Sequence, residues 1–299
     1  MHRNGLRRYR CPLCKKTYTE PHKRVMDSMY ISHDKAVLAL QLLLEGSSIR
    51  STERITGLDM NTIMKLLVLA GERCQALLDS KIHGIDIDDC EVDEVWGFVF
   101  KKEVRKQRRS ETAYGIGDAY CFIGIERTTK LVIAHHLGKR DQQSTDAFLS
   151  KLAIAASWKP FQLSTDGFRT YPGSVKAHLG SRVNYAQIVK VYGRDRGGEQ
   201  RYSAAQVVDV VRTVISGNPD PERICTSMIE RQNLSVRMGM RRMTRLTNAF
   251  SKKWENLQAA YSLWFAYYNF VRVHSTLKQT PAMAQGLTDH VWTIRELIA

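Results

Sequence analysis

The stretch CEVDEVWGFVF, residues 90–100, is the part of the chain from which the fold is inferred. It is rich in valine and aromatic residues, which favour an extended strand. An acid, Asp93, lies in the middle of this β-prone stretch. Because side chains alternate between the two faces of a strand, we expect Glu91 to share the face of Asp93 and Glu94 to point the other way.

The segments around this stretch predict an α/β domain. Its predicted elements, in chain order, are strands at 91–100, 114–125 and 131–138, a helix at 144–157 capped by Ser144 or Thr145, a strand ending at Asp166, a short helix at 171–180, a strand at 183–193 and a helix from Thr226 onward. The basic stretch 101–109 forms a hairpin tip, and 194–227 form a loop with one helical piece at 203–215. This order, β-β-β-α-β-α-β-α, is that of a ribonuclease-H-like domain.

Two further acids resemble Asp93 in their surroundings. Asp166 ends the apolar stretch of FQLSTDGFRTY, and Glu230 lies in the helix predicted from CTSMIERQNLSVRM. Carboxylates that converge in this way can hold Mg²⁺ or Mn²⁺, and two such ions are the usual apparatus for cutting and joining phosphodiesters. Glu91 and Asp118 are competing acids, and surface solvation is the alternative for each. A packed or surface role is expected for the remaining strand candidates, His135 and His136.

The charge of the chain indicates a polyanionic partner. The 299 residues include 45 Lys and Arg against 30 Asp and Glu, which gives a net charge of +15. The basic residues cluster at 1–24, 101–109 and 237–245, whereas a solvated helix face normally mixes signs. We expect double-stranded DNA as the partner; the alternative is a merely soluble basic protein.

The apolar stretches are too short for a membrane protein. The longest, near Ala36–Leu44, cannot span a bilayer, and the basic N-terminus has no apolar core that would make it a secretory signal. We therefore expect no membrane partner and a reducing, cytoplasmic location. Four scattered cysteines are then buried free thiols: Cys74, Cys90, Cys121 and Cys225.

The N-terminal segment RYRCPLCKKTY is typical of a zinc knuckle. Cys11 and Cys14 have the spacing of two zinc ligands on a turn, but a structural zinc needs four. His2 and His22 are the nearest residues that could complete the set. The alternative is half a zinc ribbon, left by a shortened N-terminus.

The pattern of apolar and turn residues in 33–80 predicts a helix-turn-helix. Apolar residues from Ala36 to Leu44 recur at helical spacing, and a short helix at 49–56 follows a Gly-Ser break. The turn at 57–59 leads into a long helix that Asn61 or Thr62 caps. Helix, glycine-containing turn and second helix form a DNA-binding pattern, although small helical bundles share it.

The C-terminal part predicts a second helical segment. The aromatic residues of WENLQAAYSLWFAYYNFV, residues 254–271, share one helix face, which favours core packing over base stacking. We predict four regions: a partial zinc ribbon at 1–25, a helix-turn-helix at 26–85, the catalytic domain at 86–248 and a C-terminal helical segment at 249–299.

With these segments, the chain resembles DDE transposases of bacterial insertion sequences, in the family named for insertion sequence 1. The most specific segments are CEVDEVWGFVFKK, STDGFRTY and the long block that starts at NPDPERICTSMIERQNL. The resemblance implies a transposase that binds element ends, and it implies that Asp93, Asp166 and Glu230 are the catalytic, metal-binding triad. Our candidate DNA contacts are Arg231, Asn233, Arg237, Arg241, Arg242, Lys101 and Lys102.

Two other functions remain open at this point. One is a DNA-binding element protein or regulator that no longer catalyses because its N-terminus is incomplete. The other is a plain ribonuclease-H-type nuclease, which the helix-turn-helix and the long C-terminal block disfavour. A homo-oligomer is expected by analogy, because a transposase brings two DNA ends together.

Overall fold

A computed structural model of the chain describes residues 7–19, 29–193 and 207–299. His2 and His22, the predicted partners of the cysteine pair, lie outside these residues, as do the predicted loop residues 194–206. Among the helices in the described ranges, none combines the length and apolar composition that crossing a membrane requires.

A small hairpin opens the described chain. Strands β1 (Arg8–Arg10) and β2 (Thr17–Thr19) pair in antiparallel fashion, and the Tyr9 and Tyr18 rings stack with their centroids 5.4 Å apart. The turn between the strands holds both Cys11 and Cys14.

Three helices follow: α1 (His33–Leu44), α2 (Ile49–Thr56) and α3 (Met60–Lys81). Gly57 ends α2 in the left-handed conformation, at φ 68°, which glycine adopts without steric cost. The cap of α3 is Asp59, whose carboxylate accepts hydrogen bonds from the amides of Asn61 and Thr62. The prediction that Asn61 or Thr62 caps this helix was therefore wrong, because both lie in its first turn and donate to the true cap.

The larger part of the chain is a mixed α/β arrangement. Its elements, in chain order, are β3 (Asp89–Val99), α4 (Glu103–Gln107), β4 (Gly117–Glu126), β5 (Val132–Gly138), α5 (Gln142–Ala155), β6 (Phe161–Thr165), α6 (Tyr171–His178), β7 (Val183–Tyr192), β8 (Val207–Ser216), α7 (Ser227–Gly239), α8 (Trp254–Phe270), α9 (Pro281–Ala284) and α10 (Ile294–Leu297). The strands form one sheet in the order β5-β4-β3-β6-β7-β8.

The pairing in the centre of this sheet positions the acids. β3, β4 and β5 are antiparallel neighbours, whereas β6 runs parallel to both β3 and β7. On β3, the pairing with β6 covers Asp89 to Val92 and stops there, because β6 ends at Thr165. Within the described ranges, the next residue of β3, Asp93, therefore has no strand neighbour on that side.

Helices cover both faces of the sheet. On one face, the Phe148 ring of α5 packs on Phe122 of β4, at 5.8 Å between centroids. On the other face, the Phe265 ring of α8 packs against His135 of β5, at 4.8 Å between ring centroids. The Asn269 side chain of α8 also accepts from the Val132 N–H and donates to the Val132 carbonyl of edge strand β5, at 3.0 and 2.9 Å. α8 thereby closes the core over the antiparallel half of the sheet.

α8 also packs against α3, so the predicted regions 26–85 and 249–299 share one core. Ser262 of α8 donates a hydrogen bond of 2.9 Å to Gln75 of α3. Where the helices approach most closely, a Cβ placed on Gly71 would lie 2.4 Å from the Cα of Ala259. One continuous cluster of buried apolar side chains runs from Ala36 to Ile298.

Two further local predictions were wrong. The piece predicted as helix within 203–215 is strand β8 from Val207 onward, where valine-rich sequence pairs with β7. The cap of α5 is Asp141, which accepts from the Ser144 amide, and neither Ser144 nor Thr145 caps it. The basic stretch 101–109 does connect two paired strands, β3 and β4, as predicted, and it contains the short helix α4.

Candidate active site

Asp93 lies at the point where the pairing between β3 and β6 stops. Its carboxylate is half-buried and takes two hydrogen bonds. The Asn233 side-chain amide donates to Oδ2 at 2.7 Å, and the backbone N–H of Glu94 donates to Oδ1 at 2.8 Å. Asn233 belongs to α7, so this contact ties the helix to the strand at the acid itself.

Asp166 directly follows the last residue of β6, and so faces the same gap in the sheet. The Phe168 N–H donates to its Oδ1 at 2.9 Å, and the Arg140 guanidinium donates to its Oδ2 at 3.3 Å. The backbone carbonyl of Asp166 accepts from Gln187 of β7 at 2.9 Å. These bonds hold the carboxylate beside Asp93.

Glu94 is the third acid of this group, against the expectation that it points away. Ligand oxygens of Asp93, Glu94 and Asp166 lie within 4.8 Å of one another. The alternation rule does hold, because the hydroxyl of Tyr171 in α6 donates to Glu94 on the sheet face opposite Asn233. With no β6 residue in the way, a side chain from either face of β3 reaches the gap.

The three acids lie close together and are partly shielded from water, and both conditions raise the pKa of a carboxyl group. Burial, and then the neighbouring charges of Asp166 and Glu230, raises the pKa of Asp93 to about 7. Burial, and then the charge of Asp166, raises the pKa of Glu94 to about 8. Burial also raises the pKa of Asp166. A cation at this point would relieve the repulsion, and an all-carboxylate oxygen set suits Mg²⁺ or Mn²⁺.

Arg140 already supplies part of the compensating charge. Its guanidinium lies 3.5 Å from Glu94 and 3.3 Å from Asp166, and it covers the Phe168 ring at 4.4 Å from the centroid. It follows the end of β5, and nothing in its sequence setting, LGKRD, singled it out.

Glu230 lies close to the three acids but outside their group. It belongs to the first half of α7, and its side chain is 45% exposed. Its Oε1 accepts from the Thr226 hydroxyl at 2.8 Å and contacts the Lys190 ammonium of β7. Its charge contributes to the raised pKa of Asp93, so the two carboxylates interact.

Glu91, a competing acid in the sequence, has a different partner. Its side chain is fully buried, and Oε2 accepts from the backbone amides of Met228 and Ile229 at 2.8 and 3.0 Å. These amides open α7, whose preceding residue Thr226 makes no side-chain cap. Glu91 therefore caps α7 from the strand, and burial raises its pKa to about 7.

The remaining candidate side chains, those of Asp118, His135 and His136, lie outside the group of three acids. Asp118 accepts from the Glu103 amide at 3.0 Å, and it pairs with Phe98 on the sheet, five residues along β3 from Asp93. His135 is buried against Phe265 of α8, and burial lowers its pKa to about 3. Burial likewise lowers the pKa of His136 to about 4. The packed interpretation of His135 is confirmed.

The predicted DNA contacts divide into internal and exposed residues. Arg237 donates to the carbonyls of Met243 and Trp96, both at 3.2 Å, and burial lowers its pKa. Burial also lowers the pKa of Arg242, to about 10. Lys101 pairs with Glu111, while Lys102 lies over the Trp96 ring. The side chains of Arg231 and Arg241 are exposed.

Cys11 and Cys14 are close neighbours at the hairpin turn. The backbone N–H of Cys14, and then that of Leu13, lowers the pKa of the Cys11 thiol. Among the described residues, no third Cys, His, Asp or Glu joins these two in a group able to hold a metal ion.

A scan of the chain against models of protein families finds no match, and a search among curated proteins finds none.

Proposed function

We propose that the chain is a transposase that binds the ends of an insertion sequence and joins them to target DNA by metal-dependent cleavage and strand transfer. Asp93, Asp166 and Glu230 form its catalytic triad. The observation that carries the proposal is the meeting of Asp93 and Asp166 at the end of β6, with Glu230 on the helix that bonds Asp93 through Asn233.

The order of elements supports a ribonuclease-H-like catalytic domain. Three antiparallel strands are followed by helix, strand, helix and strand, and β6 and β7 run parallel to β3. Two elements are additional to the expected order: the short helix α4 between β3 and β4, and strand β8 between β7 and α7. Helices α2 and α3, joined by the Gly57 turn, serve as the helix-turn-helix that reads the element ends.

Asp93 and Asp166 would hold the metal, with Glu230 as the third ligand. When bound, Mg²⁺ or Mn²⁺ supplies an activated nucleophile and stabilises the leaving oxygen of the phosphodiester. Asn233 orients Asp93 by its hydrogen bond, which leaves Oδ1 and Oδ2 in a fixed direction. Arg140 and Lys190, each paired with a site acid, would be available to contact an incoming phosphate.

The net charge of +15 supports double-stranded DNA as the substrate. Three exposed cations would contact its phosphates: Arg231, which follows Glu230 on α7, Lys102 after the end of β3, and Arg241 after the end of α7. We propose zinc binding at Cys11 and Cys14 and a homo-oligomer that holds two ends together.

The test is a strand-transfer assay with duplexes that carry the DNA from either side of the coding sequence. We expect Mg²⁺- or Mn²⁺-dependent joining of 3′ ends by the natural chain, and a loss of at least about 1,000-fold in joining by Asp93→Asn or Asp166→Asn, because a ligand of the metal is removed. Gel-shift affinity for the same duplexes should stay within about twofold, since the substitution leaves the basic surface unchanged.

Asp118→Asn is the matched control, because it removes a carboxylate five residues further along the sheet. It should join ends at the natural rate. Joining that survives Asp93→Asn would disprove the triad. End binding with no joining by the natural chain would favour the alternative of a DNA-binding protein without catalysis, and cleavage of RNA–DNA hybrids alone would favour a nuclease.

A further inference from the structure

A basic groove lies between the N-terminal helices and the segment that follows α7. Its volume is about 940 Å³, and its walls come from the α1–α2 turn, the first turns of α3, residues 240–252 and α8. We call it the 50/241 groove after two of its lining residues, Arg50 of α2 and Arg241 of the segment that follows α7. It is separate from the acids of the candidate active site, none of which lines it.

The charge of the 50/241 groove has one sign. Arg50, Arg241 and Lys252 line it and are exposed, and the described residues of its lining include no Asp or Glu. An acid-free wall of cations is complementary to a polyanion, because nothing within it repels phosphate.

The start of α2 adds to this field. Residues Ser47 to Ser51 line the groove, and Ser48 caps the helix by accepting from the Ser51 amide at 3.1 Å. The first turn of α2 contains no acidic residue, so the positive end of its dipole faces the groove uncompensated. The N-terminus of α2 and the basic side chains of the groove therefore both favour an anionic ligand.

Hydrogen bonds from Arg242 hold the wall of the groove that residues 240–252 form. The Arg242 guanidinium donates to the Ser251 hydroxyl and to the Asn256 carbonyl, both at 2.9 Å. These bonds fasten the two ends of the segment that carries Arg241 and Lys252. The groove is therefore formed before a ligand arrives, which lowers the entropic cost of binding.

α7 connects this groove to the acids. Its C-terminal end touches the α1–α2 turn, where a Cβ placed on Gly46 would lie 3.0 Å from the Met238 carbonyl. From Glu230 to Met240 the chain rises about 15 Å along a helix, roughly four steps of a nucleic-acid strand at 3.4 Å each.

We propose that the 50/241 groove binds the phosphate backbone of the DNA whose end lies at Asp93 and Asp166. The inference rests on the proposed function, since it takes DNA to be the polyanion. Arg50, Arg241 and Lys252 each neutralise a backbone phosphate several nucleotides from the reacting bond. Specificity does not come from this groove, because phosphate contacts carry no base sequence.

The test measures duplex binding by fluorescence anisotropy over a series of salt concentrations. The triple variant Arg50→Glu, Arg241→Glu and Lys252→Glu is compared with the control variant Lys81→Glu, Lys151→Glu and Lys176→Glu. The control makes the same change in net charge at three exposed lysines outside the groove. Thermal unfolding of both variants checks that each is folded.

The expected result is specific to the groove variant. Its affinity falls about tenfold or more, and the slope of log K against log salt falls by about two to three, as for three lost phosphate contacts. The control variant keeps the natural slope. Equal slopes for the two variants would overturn the inference.

A failure of the groove and a failure of the proposed function are distinguishable. If the groove variant binds like the control while Asp93→Asn still abolishes joining, the function stands and the groove is excluded. If Asp93→Asn joins DNA normally, the triad fails, and the anisotropy measurement still reports whether phosphate binds in the groove.

Discussion

Glu94 and Glu230 are the alternative third carboxylates of the proposed metal site. The resemblance implies Glu230 as the third ligand, whereas the structure groups Glu94 with Asp93 and Asp166. Glu230 instead contacts Lys190 and Thr226. The two assignments differ in which carboxylate a bound cation would need.

Substitution of each glutamate separates these assignments. We expect Glu94→Gln to weaken Mn²⁺ binding roughly tenfold or more, because one carboxylate of the group is lost while the amide oxygen still accepts from Tyr171. Isothermal titration with Mn²⁺ measures this. If Glu94→Gln bound Mn²⁺ as tightly as the natural chain does, and Glu230→Gln bound it weakly, Glu94 would be excluded as a ligand.

His135 makes the folded protein sensitive to acid. Burial lowers its pKa to about 3, whereas an unfolded histidine titrates near its usual 6.5. Between these values the unfolded chain binds a proton that the folded chain does not, so stability falls as the pH falls.

Replacement of His135 should remove this sensitivity. From pH 7 to pH 5 the His135 contribution to the free energy of unfolding falls by about 2 kcal/mol. Over the same interval, we expect the free energy of unfolding of His135→Gln to fall by about 2 kcal/mol less than that of the natural chain. Urea unfolding of both proteins at both pH values measures this difference. An identical pH dependence in the two proteins would contradict the assignment.

At the scale of elements, the cap of α7 determines how the helix meets the sheet. Glu91 accepts from the Met228 and Ile229 amides, and Asn233, further along α7, bonds Asp93. A buried strand carboxylate therefore fixes the helix that presents both Asn233 and Glu230. Glu91, which strand alternation made a competing ligand candidate, instead holds in place the helix that carries Asn233 and Glu230.

Removal of this cap should loosen the start of α7. We expect Glu91→Ala to cost about 1–3 kcal/mol of stability, because two helix amides lose a buried acceptor. Hydrogen exchange at the Met228 and Ile229 amides should speed up, and Glu91→Gln, which keeps one acceptor oxygen, should restore part of the protection. Unchanged exchange in Glu91→Ala would show that the amides are held by other groups.

Much of this arrangement is visible in the sequence, and the remainder depends on contacts between distant segments. Strands β3 to β7 follow from apolar, β-prone stretches of the sequence. Asp93 follows from its place within one such stretch, and Asp166 from its place at the end of another. Strand β8 was missed because Ala204 and Ala205 favour a helix, while pairing with β7 selects a strand. Arg140 and Lys190 reach the acids only through the folded sheet, so no local pattern marks them.

At the scale of the whole molecule, the close contact of α3 and α8 joins the two ends of the chain. Gly71 lies against Ala259, with no room for a side chain between the helices. The region predicted as a DNA-binding domain and the C-terminal helical segment are thus one packing unit with the sheet.

Gly71→Ala tests this joint core. We expect a loss of about 1–3 kcal/mol from the steric overlap, more than the helix propensity that alanine gains. Tryptophan fluorescence and far-ultraviolet circular dichroism should shift together in urea, as expected of a single transition.

The matched control is Gly173→Ala in α6, where a Cβ meets nothing within 4 Å. It should be neutral or stabilise the protein by up to about 1 kcal/mol. Equal effects of the two substitutions would contradict the close approach of α3 and α8. Separate transitions by the two probes would contradict a common core.

The position of α8 between α3 and the sheet has a consequence for biosynthesis. The apolar faces of α3 and β5 that α8 covers emerge from the ribosome long before Phe270 does. At usual translation rates, the roughly 190 residues between the end of α3 and the end of α8 take about 10 to 40 seconds to synthesise. For that time the nascent chain carries uncovered apolar surface. Expression at low temperature or with added chaperones should therefore raise the yield of soluble protein.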